Sequence, residues 1–309
     1  MGKFVLRRFG YMLLSLWIVV TFTFILMNAV PGGPFTTAKM TPQVQAMLMR
    51  KYDLDKPLWE QYLTLLNNLA HFDLGVSLYE RGRTVNSIIA NCFPVSAMIG
   101  LEALTAAVTS GISLGIVAAL YRGKRLDYVA IIIAIVGASV PNFVIAAVLQ
   151  YVVGGMWRLL PIARWGGPET HVLPAIALGF GTVAAVCRLM RSSMLEVVNQ
   201  DYVRTAKAKG LTPTQIAWRH MIRNAILPVV TVLGPTIAGI TTGTLVVERM
   251  FAIPGLGRYY VESIYNRDYS VIMGTTVFYV AFLLLMTFLV DIVYGLIDPR
   301  IRIAGQRGE

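Results

Sequence analysis

The chain has 309 residues, of which 56% are hydrophobic and only 14% charged, with a mean hydropathy of +0.64. Such a composition excludes a soluble globular domain and places the protein in a bilayer. The net charge of +11 raises nucleic acid as a partner, but the distribution of that charge, set out below, excludes it.

Lys3, Arg7 and Arg8 precede an uncharged run over residues 9–30. At 1.5 Å per residue the run covers the ~30 Å hydrocarbon core. It is also longer than the ~7–15 apolar residues of a cleaved leader, so residues 1–30 are expected to remain as a charged start and a first membrane helix. Residues 31–95 are mixed and polar. Thr41-Pro42 and Asp55-Lys56-Pro57 read as helix starts, and Leu58, Tyr62, Leu65, Leu66 and Leu69 fall on one side of the second. A helical loop outside the membrane is expected here.

Five further spans are expected within residues 96–297: residues 96–120, 128–153, 172–187, 224–247 and 269–290. The fourth is short, and its helix can run on through Met194. Cys92 and Cys187 are expected near opposite membrane faces, with no disulfide between them and no zinc-type spacing. An even number of spans puts both termini, including the tail 298–309, on one side. The segments on that side carry 16 Lys and Arg and a net charge of +11; the longer ones opposite carry 11 and +2. This is the positive-inside pattern, so both termini are expected in the cytoplasm and no nucleic acid is implied.

Polar groups inside spans are candidates for function. Asn142, just after Pro141, and Gln150 lie in the third span, and Thr241 and Thr242 in the fifth. These four are the possible pathway residues, although for each a satisfied interhelical hydrogen bond is the favoured reading. Glu102 is expected to reach water near the end of the second span, and Asp291 to pair with Arg300. Gly111/Gly115 and Gly239/Gly243 have the spacing that lets helix backbones approach. No catalytic set appears: Gly2-Lys3 and Gly123-Lys124 lack the rest of a phosphate loop, and His71, His171 and His220 are scattered.

The most informative break is within residues 188–223. Asp201 or Asn199 is expected to cap a short helix carrying Arg204, Lys207 and Lys209, and Gly210 to end it in a left-handed conformation. Thr212, Pro213 and Gln215 then form a capping-box start for a second, basic helix with Trp218, Arg219, His220 and Arg223.

This stretch resembles the cytoplasmic coupling loop of binding-protein-dependent ATP-binding-cassette importers. The general signature there is an acidic-Ala-Ala triplet, a Gly six residues after its first member, and a later Ile-x-Leu-Pro. Here Arg204-Thr205-Ala206 stands in the triplet's place, Gly210 has the right offset, and Ala225-Ile226-Leu227-Pro228 closes the pattern. The Arg in place of the acid and the longer distance to Leu-Pro resemble the peptide-permease branch, which residues 204–211 and 220–225 match closely. Leu6-Arg7-Arg8, Pro31-Gly32-Gly33-Pro34, Arg191-Ser192-Ser193-Met194-Leu195-Glu196, Ile253-Pro254-Gly255-Leu256-Gly257, Asn266-Arg267-Asp268-Tyr269 and Asp298-Pro299-Arg300-Ile301-Arg302 extend the likeness over nearly the whole chain. Pro34-Phe35, Phe93-Pro94-Val95-Ser96-Ala97 and Leu160-Pro161-Ile162 lean towards the oligopeptide subtype, with dipeptide, nickel or other small-solute permeases left open.

The resemblance implies an all-α membrane protein of six transmembrane helices with the type I importer permease fold. It implies a non-catalytic subunit of a bacterial inner-membrane oligopeptide importer. The partners implied are a second, homologous permease, two cytoplasmic ATP-binding subunits and an extracytoplasmic peptide-binding protein. The chain itself would hold no cofactor, ATP and Mg being bound by the ATPases. Val203, Arg204, Thr205, Ala206, Lys207, Ala208, Lys209, Gly210 and Leu211 would form the ATPase-coupling elbow, with Val203, Ala206 and Leu211 as its apolar contact. A self-sufficient channel or ion-driven transporter, the alternative from another class, needs internal relays or inverted repeats, and the sequence offers neither.

Overall fold

The computed structural model describes residues 2–31, 33–35, 41–80, 82–241 and 245–297. Thr242, Gly243, Thr244, the tail 298–309 and the expected pairing of Asp291 with Arg300 lie outside the described residues. The described part is helical, and its β pairing is an isolated bridge between Val76 and Thr84. Among the described residues, four helices are long and apolar enough to cross a membrane, and six spans result if each of two bent pairs counts as one.

Helix α1 (Gly2–Ala29) packs one stripe on the chain and leaves Leu13, Leu14, Trp17, Ile18 and Phe22 exposed. That is stable only where the solvent is hydrocarbon. Helices α2 (Pro42–Lys51) and α3 (Leu58–Ala70) begin beside the two proline signals. On α3 the expected face closes onto α1: Leu65, Leu66 and Leu69 pack around Val20, and Tyr62 OH lies 2.6 Å from Thr21 Oγ1. Leu58, expected on that face, is exposed.

Helix α4 (Val85–Leu120) starts well before Ser96, where the second span was expected to begin. Thr84 caps it by accepting from the Ser87 N–H at 3.2 Å, and the helix continues through Pro94. Its 36 residues exceed what a ~30 Å core requires, so one end stands clear of the bilayer. That end packs Val85, Ile88 and Cys92 against Leu256 and Val271.

The third span is not one continuous helix, contrary to expectation. Helix α5 (Arg125–Ser139) and helix α6 (Asn142–Leu149) are separated by Val140, which is extended, and Pro141. With the π-helical turn Gln150–Met156 that follows α6, the pair is bent by 109°. The residue before a proline disfavours the helical region, and the proline supplies no N–H to continue the ladder.

Helix α7 (Val172–Val197) is the central element and runs past Met194, as the sequence allowed. It lies against α4 and α5 through glycines. A Cβ on Gly111 would stand 2.9 Å from Val186 Cβ, on Gly115 2.7 Å from Met190 Cβ, and on Gly137 2.6 Å from Ala184 Cβ. In a bilayer such close approach, not a hydrophobic driving force, holds helices together. The Gly111/Gly115 spacing therefore has a packing role; a Cβ on Gly239 would meet nothing within 4 Å.

Helices α8 (Asp201–Ala208), α9 (Pro213–Ile216) and α10 (Ile222–Ala225), with a π turn at Ala217–Met221, lead into α11 (Leu227–Thr241). The run Pro213–Ala225 meets α11 at a 48° bend. Helices α12 (Leu245–Met250), α13 (Leu256–Asn266) and α14 (Tyr269–Ile297) complete the described chain. Laterally the bundle runs α1, α14, α11, α4, α7, α5. Cys92 and Cys187 are free, buried, and in separate clusters.

Candidate coupling segment

The segment after α7 is built by local rules. Gln200 occupies the N-cap of α8 and its side chain makes no cap bond. Contrary to expectation, neither Asp201 nor Asn199 caps it: Asp201 is the first helical residue, favourable to the helix dipole, and Asn199 Nδ2 donates back to the Leu195 carbonyl. Gly210 sits at φ +78°. Its N–H donates to the Lys207 carbonyl at 3.0 Å, and the Leu211 N–H donates to the Ala206 carbonyl at 3.3 Å. This pair of bonds is the Schellman arrangement, which satisfies the last carbonyls of a helix. The chain then restarts at once. Thr212 Oγ1 accepts from the Gln215 N–H at 3.4 Å and the Thr212 N–H donates to Gln215 Oε1 at 3.0 Å. The expected capping box is formed, with Pro213 at the first helical position.

The two faces of the segment differ. Val203 and Ala206 are buried, and with Leu211 partly buried beside them they pack on Met190 and Met194 of α7, and on Ile216, Met221, Ala225 and Val229. The expectation that Val203 and Ala206 offer an apolar surface to a partner is thereby corrected, because the chain's own core already covers them. Arg204, Thr205, Lys207, Ala208, Lys209 and Gly210 are exposed, as are Asp201 and Tyr202. Asn224 Nδ2 ties the inner edge, donating to Tyr202 OH at 3.2 Å and the His220 carbonyl at 2.9 Å. The result is a polar knob on a packed apolar base.

Of the possible pathway residues, Asn142, Gln150 and Thr241 are each held by different neighbours. Gln150 Nε2 donates to the carbonyls of Ile162 and Met250, each at 2.8 Å, and so fastens the π turn to α12. Thr241 is 1% exposed; its hydroxyl donates to the Ile237 carbonyl, and its Cα is where a Cβ on Gly100 would clash at 2.5 Å. Asn142 is half-buried beside Gly181, and Thr242 lies outside the described residues. Glu102 Oε1 stands 3.2 Å from His171 Nδ1, and the His171 ring stacks on Trp165 at 4.7 Å.

Sequence reasoning missed three polar constellations. Glu248, 2% exposed, accepts from Ser96 Oγ at 2.7 Å, and Ser96 Oγ accepts in turn from the Leu256 N–H at 2.8 Å. This joins α12, α4 and the start of α13. Asp127, also buried, accepts from Arg191 twice, at 2.7 and 2.9 Å, and from the Gly123 N–H at 2.9 Å. Asp268 accepts from Ser77 Oγ and from the N–H groups of Leu78 and Tyr79, anchoring the loop before α4 beside the start of α14. Nearby, hydrogen bonds from Arg83 to Glu80 and Tyr259 raise the Arg83 guanidinium further above its ordinary value. The available signal was a lone acid beside an apolar run, at Glu248 in Val246-Val247-Glu248; its partner Ser96 lies 152 positions away in sequence.

Residues 1–100 match the family described as "Binding-prot-dependent transport system membrane comp, N-term", and residues 111–303 match "Binding-protein-dependent transport system inner membrane component". The chain is 47% identical over 304 residues to the dipeptide transport system permease protein DppB of Bacillus subtilis, covering 98% of this chain and 99% of that protein. It is 40% identical over 305 residues to the oligopeptide transport system permease protein OppB of Haemophilus influenzae, covering 98% and 100%. Among solved structures, "Crystal structure of an amino acid ABC transporter with histidines" superposes with a TM-score of 0.51 at 17% identity, over 70% of this chain and 94% of that one. This last likeness concerns the fold alone.

Proposed function

Because the chain belongs to the family of binding-protein-dependent transport system inner membrane components, we propose that it is one of two permease subunits of an ATP-driven peptide importer in a bacterial inner membrane. A second, homologous permease supplies the other half of the pathway. Two cytoplasmic ATPases bind and hydrolyse ATP with Mg, and an extracytoplasmic binding protein delivers peptide; this chain catalyses nothing and holds no cofactor. The relatives named for dipeptide and oligopeptide transport support peptide as the substrate class, and the sequence features above favour oligopeptides.

The observation that carries the mechanism is the knob 201–211: a helix closed by a Schellman stop, abutting a capping-box start, on an apolar base continuous with α7 and α11. A joint so closed at both ends moves as a unit. The ATPases grip its exposed face, Tyr202, Arg204, Thr205, Ala208, Lys209 and Gly210. Their closure on ATP is transmitted through Val203 and Ala206 to Met190 and Met194 at the end of the central helix. That tilts α7 against α4 and switches access from one side of the membrane to the other. Both termini and the knob face the cytoplasm in this reading.

A thiol at Lys209→Cys tests it. In intact cells a membrane-impermeant maleimide is expected to leave that thiol unmodified, and in inside-out vesicles to label it, less so once the ATPases are bound. Labelling from outside intact cells overturns the orientation and the coupling role with it.

A further inference from the structure

We propose that the cleft between α5 and α7, at the end of the bundle that carries the knob, binds the headgroup of an anionic phospholipid. The cleft has a volume of ≈ 650 Å³ and is lined by Arg122, Arg188 and Arg191 against one acid, Glu196. Beyond Ser192 and Asn199 its other walls are apolar, with Ile131 and Ile135 from α5 and Leu195 from α7 among them. A cationic end joined to an apolar wall suits an amphiphilic anion better than a free one.

The cationic end is held in place before any ligand arrives. Arg191 is fixed by its two bonds to buried Asp127, and Asp127 also accepts from Gly123, whose φ of +76° makes the turn that carries Arg122. Arg188 gives one donor to the Ala134 carbonyl at 3.1 Å, which bridges α7 to α5 and leaves its other donors for a ligand. Among the described residues, Arg122 and Arg188 make no ion pair with a carboxylate. With Arg191 neutralised by Asp127, Arg122 and Arg188 outweigh Glu196 and leave the site a net positive charge.

The apolar wall continues in the right direction. Helix α5 lies at the edge of the bundle, and Val129, Ile132, Ile135 and Val136 are exposed along it, a surface on which acyl chains can lie. Basic pockets between membrane helices, on the side where headgroups meet a positively charged protein face, recognise anionic lipid. The inference rests on the membrane topology proposed above only for the choice of leaflet.

The test uses the assembled importer in nanodiscs, which present both leaflets, so that an inverted topology would show in the Lys209→Cys labelling and not here. Lipid retained by the purified complex is measured by native mass spectrometry, with phosphatidylglycerol and phosphatidylcholine in equal amounts. The wild type is expected to retain phosphatidylglycerol preferentially. The double variant Arg122→Gln/Arg188→Gln is expected to lose that preference by about tenfold, while inorganic phosphate does not displace the lipid. Arg191 is left intact because its removal would orphan Asp127. Equal retention of the two lipids by the wild type overturns the proposal, as does an unchanged preference in the double variant. Displacement by inorganic phosphate overturns it in favour of a free-anion site. If the variant keeps its lipid but its KM rises for peptides with a free C-terminal carboxylate and not for their amides, the cleft belongs to the transport path instead.

Discussion

At the scale of single residues, the acid–hydroxyl pair at Glu248 and Ser96 shows how little of the polar interior the chain order reveals. Ser96 reads as the start of a span and Glu248 as a charge just beyond another, yet they meet inside the protein. The space between them and α13 is filled: a Cβ on Gly255 would lie 2.5 Å from the Glu248 carboxyl. Gly255 has φ −90°, a backbone any residue adopts, so the requirement for glycine comes from its neighbours, the Glu248 carboxylate nearest among them. Gly255→Ala is therefore expected to lower the thermal unfolding midpoint of the purified chain, by a loss of roughly 1–3 kcal/mol as for other overpacked sites. In a Glu248→Ala background the same change is expected to cost little, a coupling that a double-mutant cycle reads directly. Additive effects would show that the clash is relieved some other way. The same blindness applied to Asp127 and Arg191, 64 positions apart: their individual residues are visible in the sequence, their pairing is not.

At the scale of elements, what is local was legible and what depends on packing was not. The Gly210 stop and the Thr212-Pro213-Gln215 start were readable because each is a bargain between neighbours in the chain, and both form. The stripe Val203–Ala206 was readable too, but its partner was not, since a helical period says that a face is covered and not by what. The beginning of α4 was misplaced because residues 31–95 read as one mixed, polar stretch, whereas the helix begins at Val85 and runs on through Pro94. The break at Pro141 left its proline signal, but the 109° turn there is fixed by α7 and α12, which pack on α6. The proposed lever gives this scale its own prediction. A Cβ at Gly210 meets nothing within 4 Å, so Gly210→Val introduces no clash with the bundle. It strains the left-handed turn by about 1–2 kcal/mol and so changes the angle between α8 and α9. The variant is expected to assemble at near wild-type levels and to hydrolyse ATP, while its uptake of labelled peptide falls at least about tenfold, the rate equivalent of 1.4 kcal/mol. Normal uptake by that variant would falsify the lever.

For the whole molecule, the shape of the bundle bears on whether it can work alone. The glycine contacts at Gly111, Gly115, Gly137 and Gly179 bring α7 against α4 and α5, so the best-packed part of the molecule is its middle. A pathway enclosed by one chain would put its polar lining there. Instead Thr241, Gln150 and Ser96 in that region satisfy their hydrogen bonds within the fold, and Asn142 is half-buried beside Gly181 of α7. This arrangement suits the proposal above, in which a path forms only where a second permease faces this chain. Reconstituted alone in liposomes, the chain is expected to pass no labelled peptide in either direction. With the second permease, the ATPases and the binding protein, uptake is expected to appear and to require ATP. Competition by unlabelled peptides of increasing length then reads the substrate range, oligopeptides being expected to compete more strongly than dipeptides. Peptide flux through the chain alone would mean that the described helices already enclose a path, and the division of labour between two permeases would have to be abandoned.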